Sequence, residues 1–265
     1  MHEFVNSNLD TYYLTSKKNE YASDAQLNIV SGLFKDDESI KILKSFVNYQ
    51  KTGEVSHLRR SATHSSQYLG ITLPPQAKKR WFLKKNRWVD VGSFDGDTIQ
   101  SIRNLKSIKQ DEFICIEPDI HNFTKLLLKM KELNATAITL NIALGADTRT
   151  VGFASQGESS SFVSDVDIKE NFQNSIMQVA LDTFAGNWNP THIKMDIEGF
   201  EMQALVGAEK TLTDHRPRIS VAVYHKPKDI IEIPIYLSKL LVDYDWHLRT
   251  YGAHGYDTVI YGIPK

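Results

Sequence analysis

The sequence has a single cysteine, Cys115, which excludes an internal disulfide framework and a cysteine-built zinc cluster. That residue lies in the apolar run Phe113–Ile116, the setting of a buried, inert thiol, and a reducing, cytoplasmic compartment is expected. Charge of one sign is lacking too. With 31 Lys and Arg against 32 Asp and Glu the net charge is −1, so no global field draws the chain to nucleic acid or membrane. No apolar run is long enough to span a membrane, no apolar signal region is seen at the start, and no internal repeat is found. At 265 residues, with 41% hydrophobic and 10% aromatic content, the chain suits one large α/β domain with an appendage, or two small domains.

What is present centres on Trp88 to Gln100, WVDVGSFDGDTIQ. A short apolar run breaks at Gly92, an acidic glycine turn follows, and Ile99 and Ile102 resume at helical spacing. This reads as strand, tight turn, helix. In an open α/β sheet the turn after the first strand is where ligands bind. The spacing G-x-x-x-G lacks the second glycine of a dinucleotide fingerprint, and Asp90, Asp95 and Asp97 would repel phosphates. A cationic ligand fits better, and S-adenosylmethionine (AdoMet) carries both a sulfonium and an ammonium.

Polar residues to about Asp24 precede two helical patterns, Ala25–Leu33 and Asp36–Tyr49, the second stopped by Lys51-Thr52-Gly53. Residues 1–86 are read as a helical N-terminal cap and 87–265 as the main domain. Between them Lys78–Trp88 interleaves basic and aromatic residues, a pattern that binds single-stranded nucleic acid or an acidic glycan, or else docks its tryptophans on the core. From Trp88 strands and helices alternate, predicting a mostly parallel sheet flanked by helices. Strands are predicted at Glu112–Ile116, Ala137–Leu140, His192–Met195 and Ile219–Tyr224, with Trp246–Thr250 and Thr258–Gly262 closing antiparallel. Helices are predicted at Asp119–Leu133, Glu198–Leu212 and Asp229–Val242, the last kinked or split at Pro234. Residues 141–178 read as an irregular insertion that includes a short run at Val151–Ala154 and the Ser-rich Ser159–Ser161.

Three further groups carry chemistry. Glu117 ends the second strand, more than 20 residues past the glycine turn, where an acid accepts hydrogen bonds from a ribose. Lys194, Asp196, Glu198 and Glu201 fall in HIKMDIEGFE, where a strand becomes a helix; Glu201 is assigned to helix N-terminal charge. His225 follows an apolar strand and is the candidate general base, with Asp196 orienting it and Lys194 as electrostatic support. His192 begins its strand, at the opposite sheet edge, and is not selected.

VDVGSFDGDT, IEPD, NIALG (Asn141–Gly145), KMDIEGFE with GAEKTL, YHKPKDIIEIPIYLSKL and YDTVIYGIP occur in that order. Together they resemble the FkbM-type family of class I AdoMet-dependent methyltransferases, from about Val89 to the C-terminus. The resemblance implies a Rossmann-like mostly parallel sheet with an antiparallel C-terminal strand. It implies a cofactor-binding set in which Asp90, Gly92, Ser93, Asp95 and Gly96 surround the methionine end, Glu117 holds the ribose, and Asn141 with Ala143 flanks the adenine. Arg249-Thr250-Tyr251 departs from an Arg-His-Tyr of many relatives, so no role is borrowed for it.

The expected activity is O-methylation of a hydroxyl, on a sugar of a surface glycan or of a secondary metabolite. Metal is not predicted, since no spacing is diagnostic, although Asp196, Glu198 and His225 are the donors that would hold one. Two rival readings stand beside it: a catalytically silent AdoMet-fold module binding nucleic acid or an acidic glycan through Lys78–Trp88, and an NAD-dependent oxidoreductase. Nucleic acid is not the expected partner, and a homo-oligomer is left open. The acceptor pocket is expected from the cap, Ser159–Val166 and Gly252–Tyr256.

Overall fold

A computed structural model describes residues 22–52, 67–105, 111–155, 161–164, 175–252 and 255–265. The expected polar start up to residue 21, and all of the Ser159–Val166 segment except residues 161–164, lie outside them.

Helix α1 (Asp24–Leu33) is opened by a capping box, in which Ser23 accepts from the Gln26 N–H and the Gln26 side chain accepts from the Ser23 N–H. Helix α2 (Asp37–Thr52) has Asp37 and Glu38 in its first turn and buries Ile42, Leu43, Phe46 and Val47 along one stripe. Helix α3 (Pro75–Trp81) starts on proline, which has no N–H to leave unsatisfied there. Next come β1 (Arg87–Val91), α4 (Asp97–Asn104), β2 (Glu112–Ile116), α5 (Ile120–Glu132) and β3 (Thr136–Leu140). Four short strands follow: β4 (Ala143–Leu144), β5 (Arg149–Ser155), β6 (Ser161–Ser164) and β7 (Ser175–Val179). The chain closes with β8 (His192–Met195), α6 (Glu201–Val206), α7 (Glu209–His215), β9 (Arg218–Ala222), α8 (Asp229–Leu240), β10 (Tyr244–Thr250) and β11 (Thr258–Pro264).

The main sheet has seven strands in the order β10-β11-β9-β8-β1-β2-β3. β9, β8, β1, β2 and β3 run parallel, and β10 pairs antiparallel with β11, as the sequence led us to expect. Register fixes the position of the site. Val91 is level with Ile116 and Met195, and Ile116 with Leu140, so four strands end together. The turns that leave those ends carry Gly92, Glu117, Asn141 and Asp196.

The chain divides into two compact units, one of Arg80–Val221 and one of Met1–Lys79 with Ala222–Lys265. In the first, Val89, Val91, Phe113, Ile116, Ile193 and Met195 are buried sheet residues. In the second, α2 packs on β10 and α1 on α8. That unit also encloses a polar network: Asp36 bonds His247 Nδ1 at 2.5 Å and lies 3.1 Å from Arg249, whose guanidinium also donates to Ser39 and to the Thr72 carbonyl. Asp36 is part-buried, which pushes its carboxyl up, but the His247, Arg249 and Ser39 contacts prevail and hold it well below the usual carboxylate range.

Three expectations need correction. Within residues 141–178 the described ones are not irregular, because β4, β7, β5 and β6 form a second sheet in that order. Ala143 and Val151 centre its small cluster, with Phe153, Ile176 and Phe200 packed on them, too few apolar residues to show as a pattern. The predicted helix over Glu198–Leu212 starts later and is two helices. Glu198 (φ 57) and Gly199 (φ 93) take left-handed conformations, and α6 stops at Gly207, where a β-carbon would stand 2.0 Å from the Gly145 carbonyl oxygen. Of the two alternatives at Pro234 the split does not occur, since Pro234 is buried within the continuous helix α8.

Candidate functional site

The turn after β1 is held by its own backbone. The Gly92 and Ser93 amides both donate to the Ile116 carbonyl, at 2.9 and 3.0 Å, and the Gly96 amide donates to the Ser93 carbonyl. Phe94, left-handed at φ 47, donates its amide to Glu117 Oε2 at 2.9 Å. Ser93, fully buried, donates through Oγ to the Asp90 carbonyl and accepts from the Ile116 amide. These four amides are therefore engaged within the protein and are not offered to a pyrophosphate. Gly92 has φ +75, and a β-carbon there would stand 1.8 Å from the Asp196 carbonyl oxygen. Asp95 Oδ1 is buried and has no hydrogen-bond partner among the described residues. An acceptor of that kind calls for a cationic or hydroxyl donor.

Glu117 is 5% exposed, and its other oxygen accepts from the Asp119 amide at 2.9 Å. Burial raises its pKa to about 7, against the pull of the two amides and of Lys194. Asp119 then caps α5 by accepting from the amides of His121 and Asn122. Asn141 donates its Nδ2 to the carbonyls of Glu117 and Pro118, at 2.8 and 2.9 Å, and so ties the end of β3 to the turn bearing Glu117. Ala143 is buried in the small second-sheet cluster.

Below the glycine turn, Lys194 Nζ stands 3.1 Å from Asp90 Oδ1 and donates to the Gly92 carbonyl at 2.5 Å. Both side chains are buried. Burial raises the Asp90 pKa; it works against the Lys194 ammonium, yet the carboxylates of Asp90, Asp196 and Asp97 carry that pKa above the ordinary lysine value. Asp196 is partly exposed, at the end of β8. Glu201 is fully buried and accepts from the Ile197 amide at 2.8 Å, so it braces the left-handed turn before α6.

In the other unit His225 is 7% exposed just past β9, with its ring 4.1 Å from that of Tyr224. His192 is a core residue at the starting edge of β8. Its ring stacks on Trp88 at 4.1 Å, bonds the Trp81 carbonyl, and has a pKa lowered to about 3 by burial. Trp81 and Trp88 are themselves buried, so the tryptophans of the basic stretch dock on the core and offer no stacking platform for bases. Among the described residues no helix is long and apolar enough to cross a membrane.

Residues 90–244 match the model of the methyltransferase FkbM domain. The chain belongs to the FkbM methyltransferase family. No curated protein matches it. Among solved structures it is similar to the FkbM methyltransferase of Methylobacillus flagellatus KT, at 22% identity and a TM-score of 0.72, covering 90% of this chain and 58% of that one. The chain thus spans little more than half the length of that relative, and the likeness shows the class I, Rossmann-like fold. More distant likenesses are to a precorrin-6y C5,15-methyltransferase of Geobacter metallireducens GS-15 (12% identity, TM-score 0.42, 72% of this chain and 85% of that) and to Aeropyrum pernix fibrillarin in complex with S-adenosyl-L-methionine (11%, 0.41, 67% and 66%).

Within the FkbM domain, sequence reasoning passed over two features. Glu201 stands in the first turn of α6, the helix N-terminal charge expected of it, and is in addition a buried brace of the turn after β8; its place right behind Glu198-Gly199, a pair suited to a tight turn, is the available signal for that second role. The Asp90–Lys194 pair had none, because its partners are 104 positions apart and meet only through the β1–β8 register.

Proposed function

We propose that this FkbM-family methyltransferase uses AdoMet and O-methylates a hydroxyl, on a sugar of a surface glycan or secondary metabolite, in the cytoplasm. We take residues 87–265 as its methyltransferase domain and 1–86 as an extension. The observation that carries the donor reading is the glycine turn, four of whose amides are used internally and whose surroundings are acidic, a setting better suited to a cation than to a pyrophosphate. When bound, AdoMet supplies an electrophilic methyl on sulfur. Asp95 and the turn around Gly92 and Gly96 would hold its methionine end, Glu117 its ribose hydroxyls, and Asn141 with Ala143 the adenine side.

A sugar hydroxyl is a weak nucleophile and must lose its proton as the new O–C bond forms. His225 is the proposed base, accepting that proton on its imidazole, and Asp196 is the proposed orienting carboxylate. Alignment of the hydroxyl with the sulfonium methyl supplies much of the remaining rate. The acceptor class rests on the family resemblance.

Calorimetry tests the donor reading: saturable binding of AdoMet and S-adenosylhomocysteine with no heat from NAD is expected, and NAD binding in their place overturns it. With an acceptor in hand and AdoMet saturating, His225→Ala is expected to lower kcat about 100-fold or more. Near-normal kcat in that variant removes His225 as the base.

A further inference from the structure

We propose that Lys194 is a positioning residue of the donor site, which fixes the glycine turn and leaves the preference for a cationic ligand to Asp97 and Asp196. This rests on the donor reading above. Lys194 was expected to support the reaction electrostatically, but its ammonium has other partners. It stands 3.1 Å from Asp90 Oδ1 and donates to the Gly92 carbonyl at 2.5 Å, with both side chains buried. An isolated buried ammonium would be strongly disfavoured, so the charge of Asp90 cancels that of Lys194 under the turn. The pair then behaves, toward a ligand above it, as a nearly neutral hydrogen-bonding strut.

The strut acts at one point. The Gly92 carbonyl is the group that a loose turn would rotate outward, toward the ligand, and an inward-facing donor prevents this. Ser93 fixes the next residue from the other side, through the Asp90 carbonyl and the Ile116 amide. Three carboxylates, Asp90, Asp97 and Asp196, act on Lys194. Once Asp90 is matched with the ammonium, the other two set the sign of the field, and both are more accessible than the pair: Asp97 is exposed and Asp196 partly so.

AdoMet and S-adenosylhomocysteine separate position from charge, because they differ by one methyl and one positive charge on sulfur. For the whole chain, calorimetry of Lys194→Met is expected to show about 10- to 100-fold weaker binding of both ligands, as loss of one charged hydrogen bond to the turn implies, and the charge-neutral double variant Asp90→Asn/Lys194→Met is expected to weaken both by a similar factor. Asp97→Asn or Asp196→Asn is expected to weaken AdoMet about 5-fold more than S-adenosylhomocysteine. If Lys194→Met fails to fold, the double variant Asp90→Asn/Lys194→Met carries the test, since it leaves no charge unmatched. It is expected to keep near-wild-type thermal stability while still binding both ligands weakly.

Wild-type affinity in a folded Lys194→Met or double variant overturns the proposal, as does a double variant that changes affinity for AdoMet relative to S-adenosylhomocysteine. A wild-type protein that binds neither ligand sinks the donor reading and the charge half of the proposal with it. The positioning half is then read from hydrogen exchange, with the Ser93 and Phe94 amides expected to exchange about 10-fold or more faster in the double variant. Unchanged exchange there overturns it.

Discussion

Gly92 and Asp196 meet through bare backbone, with space for no side-chain atom: a β-carbon on Gly92 would stand 1.8 Å from the Asp196 carbonyl oxygen. The turns after β1 and β8 are therefore one packed object. Gly92→Ala must both adopt a left-handed φ and displace the turn after β8, at a cost of at least about 3 kcal/mol. A thermal melt should register that loss, and the folded fraction should lose AdoMet affinity. A variant with native melting temperature and native affinity would show that the two turns can part freely.

On the proposed reading, in which Glu117 holds the ribose of the donor, donor binding depends on pH. Its carboxyl has a pKa of about 7, raised by burial, and acceptance of two ribose hydroxyls needs the ionised form. AdoMet affinity should therefore climb as pH rises through 7 and level off above it, falling toward 10-fold per unit below. Glu117→Gln should bind weakly at every pH. A flat wild-type profile from pH 6 to 8 would exclude Glu117 from donor binding.

The same carboxyl has the opposite sign in stability. Its folded pKa lies above the unfolded value, so the folded state keeps a proton that the unfolded chain releases. Stability from this group is present in acid and declines as pH rises from about 4.5 to 7, by up to about 3 kcal/mol. His192 runs the other way. Its pKa is lowered to about 3, so its stabilisation is complete above about 6.5 and shrinks as pH falls. Comparing melts of wild type and Glu117→Gln between pH 5 and 8 isolates the first contribution. Identical pH slopes for the two would refute it.

Much of the site was legible because its pieces are local. Strand, glycine break and helix follow one another within Trp88–Gln100, and His192–Met195 is the strand that the pattern predicted. What escaped was long-range. The second sheet pairs β5 with β7 across residues of little periodicity, and the stop of α6 at Gly207 depends on the backbone at Gly145, far back in the sequence. The inward-facing hydrogen bonds of Ser93 and Asn141 also depend on neighbouring strands, which no local window contains.

In the unit that holds α2 and β10, Asp36 is the counter-charge of Arg249 and a hydrogen-bond partner of His247. Asp36→Asn should destabilise by about 3 to 5 kcal/mol, because it strands a buried guanidinium. Its depressed carboxyl pKa means that this stabilisation is complete above the ordinary carboxylate range and is lost as pH falls below it. A chemical denaturation series on the variant gives the value, and a loss under about 1 kcal/mol would mean that the pair is well solvated.

Trp88 is buried against His192, so Trp88→Ala should cost about 3 to 5 kcal/mol of stability. Wild-type protein should show no tight, salt-sensitive binding to single-stranded nucleic acid in gel shifts at two salt concentrations. Such binding would revive the reading of this stretch as a nucleic-acid surface.

The most direct test of the account is a calorimetric titration of the folded chain with AdoMet at pH 8, in parallel with Glu117→Gln. The acidic glycine bend is expected to bind AdoMet saturably in the wild type and at least 10-fold more weakly in the variant. No uptake by well-folded wild-type protein at millimolar AdoMet, or equal affinity in both proteins, would contradict it.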